Sequence, residues 1–337
     1  MTPRAASGPC PAPAALPRRG FLAGLAAPAA AVLAGEPLKA GEPLKAGEPL
    51  EAGPPLRAGA PHVRLALAAY GFRDFFTFSR GRPQAPADAA RSLSIASFID
   101  LCADLGCDAE LTAYYFDPAT DEAALAALRR RAHLRGVAVT GCAVGNTFTL
   151  PPGPHLDGEI ADVKRWIDRT AALGGGHLRV FAGAAEGGLS LEDARRQCIA
   201  ALRECCGHAA TRGVLLGVEN HGGIVADPDG LLAVVEGVDS AWLGINLDGG
   251  NFVSADPYAD LERCAPWAVN VQYKASIRRG GEDAKPEPAD ARRVLSILAR
   301  AGYQGPLVLE YEDPEDPFVA VPRLVGELRA AIAEVFG

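Results

Sequence analysis

The chain has 337 residues, 49% of them hydrophobic and 22% charged, which is typical of a globular protein and excludes a fibrous or wholly disordered one. The formal net charge of −8 at pH 7 excludes a general electrostatic attraction to nucleic acid or to an anionic membrane, and leaves open a local basic patch. We therefore expect one large domain with no nucleic-acid partner.

Residues 1–34 have the pattern of an export signal. Arg18 and Arg19 precede Phe21, and a run of small apolar residues follows as far as Leu33. The paired arginines resemble a twin-arginine signal, which predicts export to the periplasm and cleavage after Ala34. The apolar run is too short to predict a membrane span in the mature protein. An ordinary secretory signal or a disordered tail is the alternative interpretation.

Residues 35–61 repeat a six-residue unit, Ala-Gly-Glu-Pro-Leu-Lys, with variants in the later copies. Every unit contains proline and glycine and only one leucine, so the segment can neither form a helix nor build a core. The repeat therefore predicts a semi-extended linker. A β-helix of hexapeptides is the structural alternative, and the proline content argues against it.

From residue 62 onward, runs typical of strands alternate with runs typical of helices. The predicted strands are 63–70, 107–114, 137–144, 177–181, 213–219, 242–247, 268–272 and 306–310. The predicted helices are 95–105, 121–134, 157–173, 190–212, 229–235, 257–264, 288–301 and 318–335. This rhythm predicts a single (β/α)8 TIM barrel over 62–337. A doubly wound sheet is the alternative, but no glycine-rich phosphate loop follows the first predicted strand.

Polar clusters lie at the ends of predicted strands five to eight, where a barrel of this kind places its active site. Side chains alternate along a strand, so the members of each cluster that are two residues apart point the same way. These sets are Glu219 with His221, Asn246 with Asp248, Asn270 with Gln272 and Lys274, and Glu310 with Glu312. Two Glu, one Asp and one amide oxygen form an oxygen-rich set that suits Mg²⁺ or Mn²⁺ better than Zn²⁺.

These segments resemble the metal-site strands of the xylose isomerase-like superfamily of sugar phosphate isomerases and epimerases. The motifs are Val218-Glu219-Asn220-His221, Asn246-Leu-Asp248-Gly-Gly-Asn251-Phe, Asn270-Val-Gln272-Tyr-Lys274 and Leu309-Glu310-Tyr-Glu312. The resemblance covers roughly 63–337, and it includes Ala109-Glu110-Leu-Thr and Arg179-Val-Phe-Ala-Gly. It implies a metal held by Glu219, Asp248, Gln272 and Glu310. Many members have His where this chain has Gln272, although Gln can coordinate a metal through its carbonyl oxygen.

The resemblance implies a divalent-metal-dependent isomerase or epimerase that acts on a sugar or keto-sugar through an enediolate. Glu219 and Glu310 would remove and return the proton as base and acid. Lys274 would stabilise an oxyanion or tune Glu310, with a salt bridge at the rim as the alternative. An exported protein meets few phosphorylated sugars, so we expect a free or glycosidic sugar as the substrate.

Six further residues are candidate substrate contacts, and each has a structural alternative. They are His221, Arg179, Asn146, Glu110, Tyr70 and Tyr114. Arg179 could instead pair with Glu110 or Glu219 inside the barrel. The tyrosines could pack in the core instead of lining a wall against a sugar ring.

Three other functions remain as alternatives to the isomerase. A keto-glycoside lyase or hydratase would use the same enolate chemistry on the same scaffold. An apurinic endonuclease needs a histidine-rich zinc site, and only one of the six histidines lies at these strand ends. A non-catalytic sugar-binding protein would not need both glutamates and the aspartate. The sequence leaves open whether the protein is a homo-oligomer.

Overall fold

The computed structural model describes residues 52–55, 57 and 59–337. The predicted export signal and most of the predicted linker lie outside these residues, so both stay predictions. In the part of the chain that is described, no helix has the length and apolar character needed to cross a membrane.

Eight parallel strands close into a barrel, which confirms the predicted (β/α)8 fold. The strands are β1 (His62–Ala68), β2 (Asp108–Thr112), β3 (Val139–Ala143), β4 (His177–Val180), β5 (Leu215–Glu219), β6 (Leu243–Asp248), β7 (Ala268–Tyr273) and β8 (Gln304–Leu309). The order around the barrel is β1-β8-β7-β6-β5-β4-β3-β2. All eight carboxyl ends therefore lie at one end of the barrel, which we call the mouth.

A helix follows each strand. The helices are α1 (Ile95–Asp104), α2 (Glu122–Arg135), α3 (Pro154–Leu173), α4 (Leu191–Arg212), α5 (Pro228–Val238), α6 (Pro257–Cys264), α7 (Ala291–Arg300) and α8 (Pro317–Phe336). Side-chain caps explain where several begin, since Ser190 accepts from the backbone of Asp193 at the start of α4. Helix α7 begins at Ala291 and not at 288 because the Asp290 side chain caps its first turn.

Two short hairpins at the mouth were not predicted. One pairs Phe78–Ser79 with Arg82–Pro83 after β1, and the other pairs Ser276–Ile277 with Glu287–Pro288 after β7. Two-residue strands in loops carry too little periodicity to be recognised in a sequence. These hairpins carry the loops that border the site.

The apolar core lies between the strands and the helices, because alternate strand residues point outward. Leu67, Leu178 and Val218 belong to this core and are fully buried. Only Ala66, Ala68 and Val308 form a second, separate apolar cluster among the described residues. Because β1 and β8 are neighbours, this small cluster lies inside the barrel, where β1 presents small side chains.

The rest of the barrel interior beneath the mouth is a polar network and not the usual packing of branched apolar side chains. Gln272 donates to Glu110 at 2.9 Å, and its carbonyl oxygen accepts from Asn246 at 2.7 Å. Asn270 donates to Glu110 and to the Asn246 carbonyl oxygen, both at 2.7 Å. All four side chains are almost wholly inaccessible to solvent. Mutual hydrogen bonds offset the free-energy cost of burying these groups.

His177 fills the interior at the amino end of β4, where Gly141 and Gly217 leave space for its ring. A Cβ atom on Gly217 would lie 2.4 Å from His177 Nε2 and 3.1 Å from the Asn246 backbone nitrogen. We expect Gly217→Ala to lower the free energy of unfolding by about 1–3 kcal/mol, measured by urea denaturation. Gly207→Ala on α4, where a Cβ meets nothing within 4 Å, is the control and should stabilise slightly. Equal effects would contradict this account of Gly217.

Burial gives His177 a measurable pH signature. Desolvation and the charge of Arg179 lower the pKa of His177 from 6.5 to about 3. Between pH 6.5 and pH 3 the unfolded chain takes up a proton on His177 and the folded protein does not. The contribution of neutral His177 to stability is therefore complete above pH 6.5 and is lost as the pH falls toward 3. The difference in unfolding free energy between wild type and His177→Gln should shrink by about 2 kcal/mol from pH 7 to pH 5. Denaturation curves that keep a constant difference over this range would contradict the prediction.

The chain contacts the amino end of the barrel before β1 begins. Arg57 donates to the carbonyl oxygen of Ala268, the first residue of β7, at 2.6 Å. Its guanidinium carbon also lies 4.9 Å from the centre of the Tyr303 ring. The end of the predicted linker is thus packed against the barrel, on the side opposite the mouth.

Candidate active site

A cavity of about 220 Å³ opens at the mouth of the barrel. It is lined by Tyr70, Arg80, Tyr114, Arg179, Phe181, Glu219, His221, Asn251, Lys274, Glu310 and Glu312. All three predicted catalytic residues line it, as do four of the six predicted substrate contacts. A neighbouring cavity of about 410 Å³ shares Tyr70, Asn251, Lys274 and Glu312 with it.

Glu219, the last residue of β5, is held by Asn251 and Arg179, and Asn246 Nδ2 donates to its Oε2 at 3.5 Å. Its Oε1 accepts from Asn251 Nδ2 at 2.9 Å, and its Oε2 forms an ion pair with Arg179 Nε at 3.1 Å. Arg179 also donates to the Val144 carbonyl oxygen and lies over the Phe181 ring at 3.9 Å. The structural alternative for Arg179, a pair with Glu219, is thus present. It does not exclude a substrate contact, because Arg179 also lines the cavity.

Asp248, the last residue of β6, is fixed by its neighbour Asn220. The Asn220 side chain donates to the Asp248 carbonyl oxygen at 3.0 Å and accepts from the Asp248 backbone nitrogen at 2.8 Å. Asp248 Oδ1 accepts from the backbone of Gly250 at 2.8 Å, whereas Oδ2 accepts no hydrogen bond. Asn220 thus ties the ends of β5 and β6 together and sets the position of the aspartate.

Lys274 brings the remaining carboxylates together. Its Nζ donates to Glu310 and, at 3.0 Å, to Glu312, and it lies 3.3 Å from Asp248 Oδ2. In the register between β7 and β8, Val308 is level with Gln272, so Glu310 is level with Lys274. The structure therefore places a lysine ammonium among the carboxylates that the sequence predicts as metal ligands.

Four predicted site residues do not line the cavity, and one of them, Asp248, is wholly buried beside Lys274. Gln272 and Glu110 lie one layer deeper, in the interior network, where the Gln272 side chain donates a hydrogen bond to Glu110. Asn146 donates to the Phe181 carbonyl oxygen and accepts from its backbone nitrogen, both at 2.9 Å. Asn146 therefore fixes the backbone of Phe181, which lines the cavity. These positions do not support direct contact with a substrate for Glu110 or Asn146.

Burial dominates the electrostatics of the site. Desolvation raises the pKa of Glu219 and of Asp248 above their usual values, although Arg179 and Lys274 respectively oppose the shift. Burial also raises the pKa of Glu110, to about 7. For Lys274, burial would lower the pKa, but Asp248, Glu310 and Glu312 raise it well above its usual value. The lysine therefore stays charged, and burial disfavours the charged forms of Glu110, Glu219 and Asp248.

Aromatic side chains line the cavity on more than one side. The His221 ring lies 4.5 Å from the Phe181 ring, centre to centre, and His221 is exposed. Arg80, from the first hairpin, lies over Tyr114 at 4.2 Å. Tyr70 is half-buried on the other side of the mouth. Such rings can pack against the apolar face of a sugar, as the sequence predicts for the two tyrosines.

Several residues that line the cavity were not predicted as ligands, catalytic residues or substrate contacts, although Glu312 was predicted to point the same way as Glu310. They are Asn251, Glu312, Phe181 and Arg80. Alternation from Glu310 gives the signal for Glu312, and Asn251 follows Asp248 in a Gly-Gly-Asn turn. No periodicity places Arg80, because it lies in a tight hairpin turn with a positive φ of 50°.

A hard divalent cation matches the chemistry of the mouth. The donors are carboxylate oxygens, and one of them, Asp248 Oδ2, accepts no hydrogen bond. Four buried carboxylates, counting Glu110, face only two buried cations. In the described part of the chain, no three His, Cys, Asp or Glu side chains are already arranged around a metal position. The ligand set stays a prediction: Glu219 and Glu310 line the cavity, and Asp248 is buried next to Lys274.

The fold agrees with comparisons with known proteins. The family model described as a xylose isomerase-like TIM barrel matches residues 99–332, and the chain belongs to this family. No curated protein sequence matches the chain.

Solved structures of low sequence identity share the fold. A xylose isomerase domain protein from Planctomyces limnophilus is 19% identical with a TM-score of 0.61, covering 81% of this chain and 100% of that one. D-Psicose 3-epimerase from Clostridium cellulolyticum H10 is 12% identical with a TM-score of 0.60, covering 81% and 98%. A 3-keto-D-glucoside 4-epimerase from E. coli is 15% identical with a TM-score of 0.58, covering 80% and 99%.

Proposed function

We propose that the protein is a sugar isomerase or epimerase that moves a proton at the carbon next to a carbonyl group. The observation that carries this proposal is the presence of Glu219 and Glu310 on different walls of one cavity. They extend from β5 and β8, which are separated by two strands. Two carboxyls that reach one substrate from different sides can remove a proton on one face and return it on the other, as epimerisation requires.

The neighbours of these glutamates support distinct roles. Glu219 is oriented by Asn251 and Arg179, and its raised pKa makes it a stronger base than a free carboxylate. Lys274 donates to Glu310 and lines the cavity, so it can also stabilise negative charge that develops on a substrate oxygen. The aromatic rings of Tyr70, Tyr114 and Phe181, which line the cavity, would limit the access of water to the reacting carbon.

A divalent cation, Mn²⁺ or Mg²⁺ before Zn²⁺, is part of the proposal. Asp248 and Glu310 would hold it together with Glu219, and Gln272 could join only by leaving Asn246 and Glu110. When bound, such an ion would supply Lewis-acid polarisation of the substrate carbonyl. The substrate class is supported by the epimerase names of several structures that share the fold, and substrate identity is left to experiment.

A panel of sugars and keto-sugars in D₂O tests this function. With Mn²⁺ or Mg²⁺ present, we expect deuterium to enter beside the carbonyl of at least one substrate, together with an epimerised or isomerised product. Cleaved or dehydrated products would instead favour the lyase or hydratase alternative. Binding of sugars without exchange or turnover would contradict both enzymes and favour a non-catalytic sugar-binding protein.

A further inference from the structure

The three carboxylates around the Lys274 ammonium lie at different depths. The side chains of Asp248 and Glu310 are 0% and 6% exposed, whereas that of Glu312 is 41% exposed. Lys274 Nζ is within 3.3 Å of an oxygen of each. The lysine therefore has two inner partners and one outer partner, and the outer one is in contact with solvent.

The surroundings of Lys274 give its side chain room to move. Lysine has a flexible four-carbon stem, and Gly250 has no side chain to block it: a Cβ on Gly250 would lie 2.7 Å from Lys274 Cγ. The neighbouring cavity of about 410 Å³ is lined by both Lys274 and Glu312. An outward shift of the ammonium would therefore keep the bond to Glu312 while releasing Asp248 and Glu310.

Charge makes the ammonium and a divalent cation mutually exclusive at the inner carboxylates. One positive charge offsets only part of the charge on Asp248 and Glu310, whereas a divalent ion would offset it fully. An ammonium and a dication bound to the same two side chains would be only a few ångströms apart and would repel strongly in this buried setting.

We propose that Lys274 is a built-in competitor of the divalent cation: its ammonium occupies the Asp248–Glu310 pair and withdraws to Glu312 when the cation binds. This inference rests on the proposed function only in placing the cation at Asp248 and Glu310. Cation binding thus replaces the lysine ammonium as the partner of Glu310, while the bond between Lys274 and Glu312 is kept. The lysine thus sets how tightly the protein holds its metal.

Calorimetric titration of Mn²⁺ into the full chain tests the competition. Removing the competitor with Lys274→Met should tighten Mn²⁺ binding by at least about tenfold. Glu312→Gln removes the outer partner, which leaves the lysine on the inner pair, and should weaken Mn²⁺ binding by about three- to tenfold. Lys164→Met, on α3 and paired with the exposed Glu204, is the matched control and should leave binding unchanged.

The outcomes that overturn the proposal are distinct from those that overturn the enzyme function. Equal or weaker Mn²⁺ binding by Lys274→Met, or no measurable binding by either this variant or wild type, rules the competition out. If Lys274→Met does not fold, Glu312→Gln decides alone, and unchanged or tighter binding rules the competition out. Because the titration involves no sugar, an inactive protein can still show the competition, and an active one can fail to.

Discussion

Replacing Glu310 with glutamine is expected to slow solvent-deuterium exchange into the substrate by about 10²–10⁴-fold, because a positioned acid or base is lost. Glutamine keeps the shape of the side chain, and when no cation is bound its carbonyl oxygen can still accept from Lys274. The loss should therefore appear in kcat at saturating Mn²⁺, with little change in the thermal stability of the protein. The measurement is deuterium incorporation by NMR on the best substrate of the panel.

Glu315→Gln is the matched control for this change. Glu315 lies five residues further along, is exposed and pairs with Arg323 at the surface. We expect its exchange rate to stay within about twofold of wild type, since surface ion pairs contribute little. If Glu310→Gln retained exchange within tenfold of wild type, Glu310 would not be part of the proton transfer.

Arg179→Leu is expected to lower the free energy of unfolding by about 3–5 kcal/mol at pH 7, because it leaves Glu219 as a buried carboxylate without its cation. The side chains of Arg179 and Glu219 are 5% and 4% exposed, so water cannot replace the lost partner. The difference in unfolding free energy between wild type and Arg179→Leu should be smaller at lower pH, because Glu219 then takes up a proton and the unpaired charge disappears. Chemical denaturation at pH 7 and pH 5 measures both effects.

An exposed arginine provides the comparison for this prediction. Arg196 on α4 pairs with Glu192 and Asp193 at the surface, and Arg196→Leu should cost no more than about 1 kcal/mol. The double variant Arg179→Leu with Glu219→Leu should be less destabilised than Arg179→Leu alone, since no buried charge is left. Additive effects of the two substitutions would show that the pair does not act as a unit.

Alternation and strand counting were enough to predict the barrel and most of its mouth. Glu219, Lys274 and Glu310 line one cavity because each lies at or just after the end of an apolar run, and parallel strands end at the same face. Tyr70 and Tyr114 follow the same logic, since each lies two residues after the end of one of the first two strands. These features depend on short-range periodicity, which a sequence displays directly.

The depth of each residue could not be predicted in the same way, because depth depends on the register between strands. Gln272 is level with Asp248 on β6 but with Val308 on β8, so it lies below Glu310. An irregularity in the pairing between Ile245 and Asn246 shifts the register further. A single sequence predicts which side of a strand each residue faces, but not the register between that strand and its neighbours. The sequence therefore placed Gln272 at the same depth as Glu310, from which the structure separates it by one layer.

The position of Arg57 bears on how the protein can be joined to anything that precedes it. Its contacts with Ala268 and Tyr303 bring the chain to the barrel on the face opposite the mouth. A fusion partner, affinity tag or surface attachment placed before Arg57 in the chain would be joined to the barrel on the face opposite the mouth. The entrance for substrate would then stay open, so immobilisation through the amino-terminal side is the orientation to choose for assays on a surface.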